Sequence, residues 1–186
     1  LAVTHFSDDP EDEPLTRRLL LELKEEMGAS AREYRGALAK LRGRARIRTK
    51  EAENLLGYIQ RVVPEGSPCL LLGDLNAEVG SPELSMILDS GFQDTYPMVN
   101  DDPGYTWDPV ANPLIEAHHI RKVSPADLLG CLRARLSARR RRIDYILFRG
   151  TRPDCPVVES SLCANSPLDG TYASDHFGVM TTFRFS

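Results

Sequence analysis

The segment PCLLLGDLN, residues 68–76, constrains the fold more than any other stretch of the chain. Its apolar run from Cys69 to Leu72 stops at Gly73 and reads as a buried strand. Asp74 and Asn76 follow at positions i and i+2, so in extended chain both side chains share one face. They stand where the chain leaves the sheet, which is where sites are built. A hydrophobic strand that delivers a carboxylate and an amide at its end calls for a partner for both groups.

The neighbouring segments supply the rest of a layered domain. LAVTHF opens as a strand that closes on Thr4 and His5. Leu15, Leu19 and Leu23 recur in steps of four and predict a helix, with Thr16 expected as its N-cap. Residues 29–48 are Ala/Arg-rich and compatible with helix, although Gly36 and Gly43 weaken that expectation. Over 48–63, Ala52, Leu55, Leu56, Ile59 and Val63 trace one helical face, ended by Pro64 and Gly66. Ser81, Pro82 and Gly91 bracket another helix. Further strands are expected at FQDTY (92–96), RIDYILFRG (142–150) and HFGVMTTFRF (176–185), with a Pro- and Ser-rich connector over 151–174. Residues 118–142 read as irregular or partly helical. Short strands and helices in mixed order indicate an α+β domain whose sheets pack face to face beneath helices.

Charge and cysteine usage narrow the setting. The 186 residues suit one domain, and a net charge of −4 excludes a polycation that binds nucleic acid through bulk charge alone. The distribution is uneven: an acidic stretch runs from Asp8 to Glu13, and a basic one from Arg133 to Arg142. The basic run reads either as a solvated loop or as a contact for phosphates. Cys69, Cys131, Cys155 and Cys163 have no zinc-site spacing; Cys69 reads as a small buried hydrophobe, and a Cys155–Cys163 bridge is left open. A reducing, intracellular setting is the expectation. No apolar run approaches a membrane span, and the opening LAVTHF reads as the body of a strand, so the chain is expected to start partway into a larger domain.

The polar residues at strand ends form a set. Thr4 and His5 end the first strand, Asp74 and Asn76 the second; Asp144 interrupts RIDYIL, and Asp175 and His176 precede the last strand. Any one of these alone is a turn residue. Four strand ends each bearing Asp, Asn or His are accounted for by one shared pocket. The residue types suit phosphoester cleavage, which needs an activated water and neutralised phosphoryl charge. Carboxylates and amide oxygens hold a hard cation such as Mg²⁺, and a His backed by a carboxylate serves as base near neutral pH. The chain has neither a GxxxxGK[ST] phosphate loop nor a GxSxG elbow.

In order, THF, GDLN, RIDYIL and SDHFGV resemble the later motifs of the endonuclease/exonuclease/phosphatase superfamily, which includes deoxyribonuclease-like enzymes, neutral sphingomyelinases and tyrosyl-DNA phosphodiesterases. The resemblance implies part of a two-layer β-sandwich flanked by helices, a four-layer α/β/β/α arrangement. Residues 1–186 would be the C-terminal part of one such domain, with an insertion over 8–46. It further implies that His176 is the base oriented by Asp144, that Asp74 and Asn76 bind and polarise phosphate and nucleophile, and that His5 touches the phosphate or leaving oxygen. Asp175, Asp74 and Asn76 would be the metal ligands, with Mg²⁺, or else Mn²⁺, as the ion.

The family's metal-binding Glu has no counterpart, since Glu78, Glu83 and Glu159 lie in the wrong contexts. The missing N-terminal half of the domain is therefore an expected partner, and a non-catalytic module is the competing reading. TWDPVAN offers Trp107 and Asn112 as substrate-binding residues, against the alternative that Trp107 packs under a turn capped by Asn112. A nucleic-acid phosphodiester is the first-ranked substrate, with sphingomyelin-type or phosphoinositide phospholipid next.

Overall fold

The computed structural model describes residues 1–8, 10–11, 13–44, 46–116, 127–150 and 157–184. His118, His119 and Cys155 lie outside these residues, and with them the question of a Cys155–Cys163 bridge. The chain divides into two compact units: residues 1–7, 48–107 and 141–186 form the first, and residues 8–47 and 108–140 the second.

The first unit carries both sheets. Strands β1 (Ala2–His5), β2 (Cys69–Asp74), β3 (Gln93–Asp94) and β4 (Asp144–Arg149) form a four-stranded sheet in the order β1-β2-β4-β3. β1 runs parallel to β2, and β4 runs antiparallel to both β2 and β3. β5 (Val157–Cys163) and β6 (Gly178–Phe183) make an antiparallel pair. The two sheets meet where Phe148 packs on Phe183, ring centres 5.7 Å apart, and where the Thr95 and Thr181 hydroxyls lie 3.0 Å apart. Mixed strands and helices with two sheets are the α+β class expected from the sequence.

Helices α3 (Ile47–Val62) and α4 (Pro82–Asp89) of this unit bury their apolar stripes against the four-stranded sheet. Ala52, Ile59, Leu84 and Ile87 share a core with Cys69, Leu71, Tyr145 and Leu147, and Leu55, Leu56 and Val63 pack at its margin. Ser81 caps α4 by accepting from the Leu84 amide at 3.4 Å, and Pro82 takes the first helical position as expected. Arg48 Nε donates to Glu83 Oε1 at 2.7 Å, so a buried ion pair ties the two helices together.

The second unit is helical: α1 (Pro14–Glu26), α2 (Ala31–Arg44), the single turn α5 (Pro113–Ile115) and α6 (Leu128–Ser137). Leu19, Leu20, Leu23, Ala37, Leu41, Leu128 and Leu132 are its core. Arg135 spans α6 to α1 through Glu26 at 2.7 Å.

Two local expectations are corrected. Thr16 does not cap α1: the helix begins at Pro14 after Glu13, and Thr16 is buried inside the first turn. Proline fits that first position because its φ is preset and no amide is needed there. The supposed connector 151–174 contains β5, whose Glu, Ser and Ser hide a strand by composition. β5 is set by its partner: cross-strand pairing with β6, including Ser160–Thr181 at 2.9 Å, overrides weak local propensity.

Candidate active site

Strand register brings the polar ends together. His5 is the parallel partner of Asp74, and Asp74 is the antiparallel partner of Asp144. Three adjacent strands therefore present His5, Asp74 and Asp144 in one row across the sheet. β1 approaches β2 so closely that a Cβ on Gly73 would lie 1.8 Å from the Thr4 carbonyl oxygen, and Gly73 sits at φ +150°. The glycine before Asp74 is thus a packing requirement.

Past the strand, Asn76 turns the chain in the left-handed region, φ +46°. Its amide N–H donates to Asp74 Oδ1 at 2.8 Å, and its Nδ2 donates to the Phe6 carbonyl at 3.0 Å. Nδ2 also lies 3.3 Å from Asp74 Oδ2 and 3.4 Å from His5 Nε2. Two hydrogens serve three acceptors, so the second is shared between Asp74 and His5. With nitrogen committed to Phe6, the Asn76 Oδ1 is the face of the amide left to accept or ligate. His5 Nε2 stands 3.5 Å from Asp74 Oδ2, and its ring is largely exposed.

His176 completes the row. Its Nδ1 is 2.9 Å from Asp144 Oδ2, so with Asp144 ionised Nδ1 is the donor, and in the neutral ring Nε2 carries the lone pair. Nε2 is 4.0 Å from Asp74 Oδ2. Burial alone would lower the His176 pKa, but the Asp144 hydrogen bond and the charges of Asp144, Asp74 and Asp175 together raise it. Burial raises the Asp74 pKa, and the Asp144 charge adds to that; the Asn76 amide, His176 and His5 offset only part. Asp74, Asp144 and His176 each offer a ligand atom, all within 4.8 Å of one another. Two carboxylates at this spacing, with an amide oxygen beside them, fit a hard divalent cation. Asp175 is outside that trio; its Oδ1 accepts from Ser174 at 3.3 Å, and its charge reaches His176.

Trp107 is buried, and its ring meets His176 edge-on with centres 4.9 Å apart. The Arg141 guanidinium covers the Trp107 ring at 5.1 Å. Asn112 belongs to the second unit, where it is fully buried and its Oδ1 caps α5 by accepting from Leu114 at 3.1 Å.

Three supporting residues were not singled out from the sequence. Thr106 Oγ1 accepts from the Ile143 and Asp144 amides, each at 3.2 Å, and its carbonyl accepts from Phe177 at 2.7 Å. One buried threonine therefore clamps both partners of the His–Asp pair. Ser174 Oγ accepts from the His176 amide at 3.1 Å. The buried Tyr145 hydroxyl lies 2.7 Å from the Ala77 carbonyl and 2.8 Å from that of Arg142, holding the loop after Asn76. The threonine of TWDPVAN, the tyrosine of RIDYIL and the serine of SDHFGV were the sequence signals for these contacts.

The chain belongs to the endonuclease/exonuclease/phosphatase family, whose sequence profile matches residues 31–176. Among solved structures it is similar to TDP2 of D. rerio complexed with single-strand DNA product, at 27% identity and TM-score 0.51, over 74% of this chain and 50% of that one. A humanized D. rerio TDP2 aligns at 24% identity and TM-score 0.51, over 77% of this chain and 51% of that one. A family protein from Leptotrichia buccalis aligns at 24% identity and TM-score 0.45, over 72% and 42% respectively. The chain thus spans about half the length of the D. rerio structures it matches. No curated protein matches it. Among the described residues, no helix is long and apolar enough to cross a membrane.

Proposed function

We propose that the protein is a divalent-metal-dependent phosphoester hydrolase acting on a nucleic-acid phosphodiester. The observation that carries this reading is the His176–Asp144 pair at 2.9 Å, with the free Nε2 turned toward the Asp74 side of the cluster. That arrangement is a base with its orienting carboxylate, beside groups that suit a phosphate-binding cation. Similarity to a TDP2 holding a single-strand DNA product supports the choice of nucleic acid.

In this reading Asp144 fixes the His176 tautomer, and Nε2 takes the proton from the attacking water. Asn76 and His5 bind phosphoryl oxygens, and Asp175 adds negative charge that strengthens the base. Asp74, Asp144 and Asn76 Oδ1 would hold Mg²⁺ or Mn²⁺, which would supply charge neutralisation at the phosphoryl group. Residues 1–186 are then the C-terminal part of a family domain, with 8–46 as an insertion.

The test is His176→Ala in the complete enzyme, assayed with Mg²⁺ on single-stranded and duplex DNA, RNA, sphingomyelin and phosphoinositides. Turnover on a nucleic acid should fall by at least about two orders of magnitude while folding is retained. Wild-type rates would remove His176 from the mechanism, and turnover confined to the lipids would remove the nucleic acid.

A further inference from the structure

The first unit opens a cleft of about 310 Å³, at the small end of ligand pockets and sized for one ring system. Val79, Tyr96 and Tyr105 give it apolar and aromatic walls, while Glu78, Asp102 and Arg141 give it polar ones. It is linked to the candidate centre through Arg141. Glu78 is two residues past Asn76, and Arg141, three residues before Asp144, covers the Trp107 ring whose edge meets His176.

The walls are set before any ligand arrives. Tyr96 is buried beneath Gly104, where a Cβ would come within 2.3 Å of its ring, and its hydroxyl donates to Asp102 Oδ1 at 3.0 Å. The Gly104 amide donates to the same oxygen at 2.9 Å. Asp102 is thereby fixed through Oδ1, and its Oδ2 remains available as an acceptor in the cleft. Tyr105 is partly exposed and lines the cleft.

We propose that this cleft is a subsite for a nucleobase bearing an exocyclic amine, flanking the phosphoester held at the His176 centre. The inference rests on the phosphodiesterase reading above and adds to it a base-recognising element. A flat ring stacks on Tyr105, and its amine donates to Asp102 Oδ2 or Glu78. Arg141 offers donors to ring acceptors. Free phosphate is a poor occupant because the two carboxylates repel it. A quaternary ammonium headgroup would suit the tyrosines and carboxylates, but it would face the guanidinium groups of Arg141 and Arg142 in the same cleft.

Trp107, the single tryptophan, reports on the cleft through Arg141. Its fluorescence is titrated with deoxycytidine, deoxyguanosine, thymidine, deoxyribose and choline, without divalent metal. Deoxycytidine and deoxyguanosine should perturb it saturably, thymidine should bind more weakly, and deoxyribose and choline should have no effect. Tyr105→Ala should weaken nucleoside binding about tenfold, the loss of one base–aromatic stack, whereas Tyr58→Ala on α3 should not.

Equal responses to deoxyribose or thymidine, an unaffected Tyr105→Ala, or binding of choline alone would each overturn the proposal. Nucleoside binding needs no turnover, so the two readings fail separately. Binding without cleavage in the complete enzyme retains the subsite and rejects the hydrolase. Cleavage indifferent to the flanking base does the reverse.

Discussion

Gly73→Ala tests how the row of functional groups is built. The added methyl would stand 1.8 Å from the Thr4 carbonyl oxygen, against about 3.3 Å for an ordinary carbon–oxygen contact. Strand β1 must retreat by roughly 1.5 Å, or the Thr4 peptide must rotate out of the ladder. Either movement breaks pairing that runs from Ala2↔Leu71 to His5↔Asp74, at about 1 kcal/mol for each hydrogen bond lost. The backbone at φ +150° adds about 1–3 kcal/mol of strain for a residue with a Cβ. The sum is about 3–5 kcal/mol, a large share of a domain's stability. Urea unfolding followed by Trp107 fluorescence measures the loss, and hydrogen exchange of the Phe6 amide, bonded to the Asp74 carbonyl at 2.9 Å, localises it. A change under about 0.5 kcal/mol with unaltered Phe6 protection would refute the packing argument.

In metal-free protein the His176 ring protons should titrate above the ordinary histidine value, and Asp144→Asn should bring that midpoint down. An NMR titration reads both, and a midpoint unmoved in Asp144→Asn would remove the pair's electrostatic role. Because the folded pKa is raised, the stability His176 contributes is complete below its unfolded value and fades as pH rises through the folded one. The wild-type advantage over His176→Gln should shrink across that window. Addition of Mg²⁺ should lower the His176 midpoint as the carboxylate charge is neutralised, and an unchanged midpoint would count against the cation site. Asp94→Ala leaves Arg142, buried and 2.6 Å from Asp94, without its anion; urea unfolding should show a loss of about 3–5 kcal/mol, and a loss under about 1 kcal/mol would refute the pairing.

The sequence showed which strands end in chemistry, because an apolar run closing on Asp, Asn or His is a local pattern. His5, Asp74, Asn76, Asp144 and His176 could be listed from it, and the structure gathers all of them. Their order across the sheet was not legible, since register depends on pairing partners distant along the chain. The same limit hid β5, which has little strand character until β6 pairs with it, and the clamp at Thr106, whose acceptor oxygen serves amides 37 and 38 residues away. The helices α3 and α4 were legible because their apolar stripes and caps are encoded within single turns. Trp107 supported two readings; the structure buries it against His176 and beneath Arg141, so it can reach a ligand through either group.

Burial, with the Asp144 charge added, raises the Asp74 pKa, and the hydrogen bond to Asp144 with the neighbouring carboxylate charges raises that of His176 against its burial. A phosphoester brings further negative charge to the same place. Like charges about 4 Å apart repel by about 4 kcal/mol at an effective dielectric near 20, enough to exclude an anionic substrate from two ionised carboxylates. Protonating His176 relieves that repulsion, but it removes the Nε2 lone pair that would take a proton from water. Binding and base chemistry therefore make opposite demands on one imidazole, and besides His176 the imidazole near Asp74 is that of His5, 3.5 Å away and largely exposed. On the proposed reading, a divalent ion on the carboxylates would meet the first demand and leave the second intact, since the base would act through Nε2 while Nδ1 stays on Asp144. The electrostatics of these residues are thus compatible with the cation of the proposed reading.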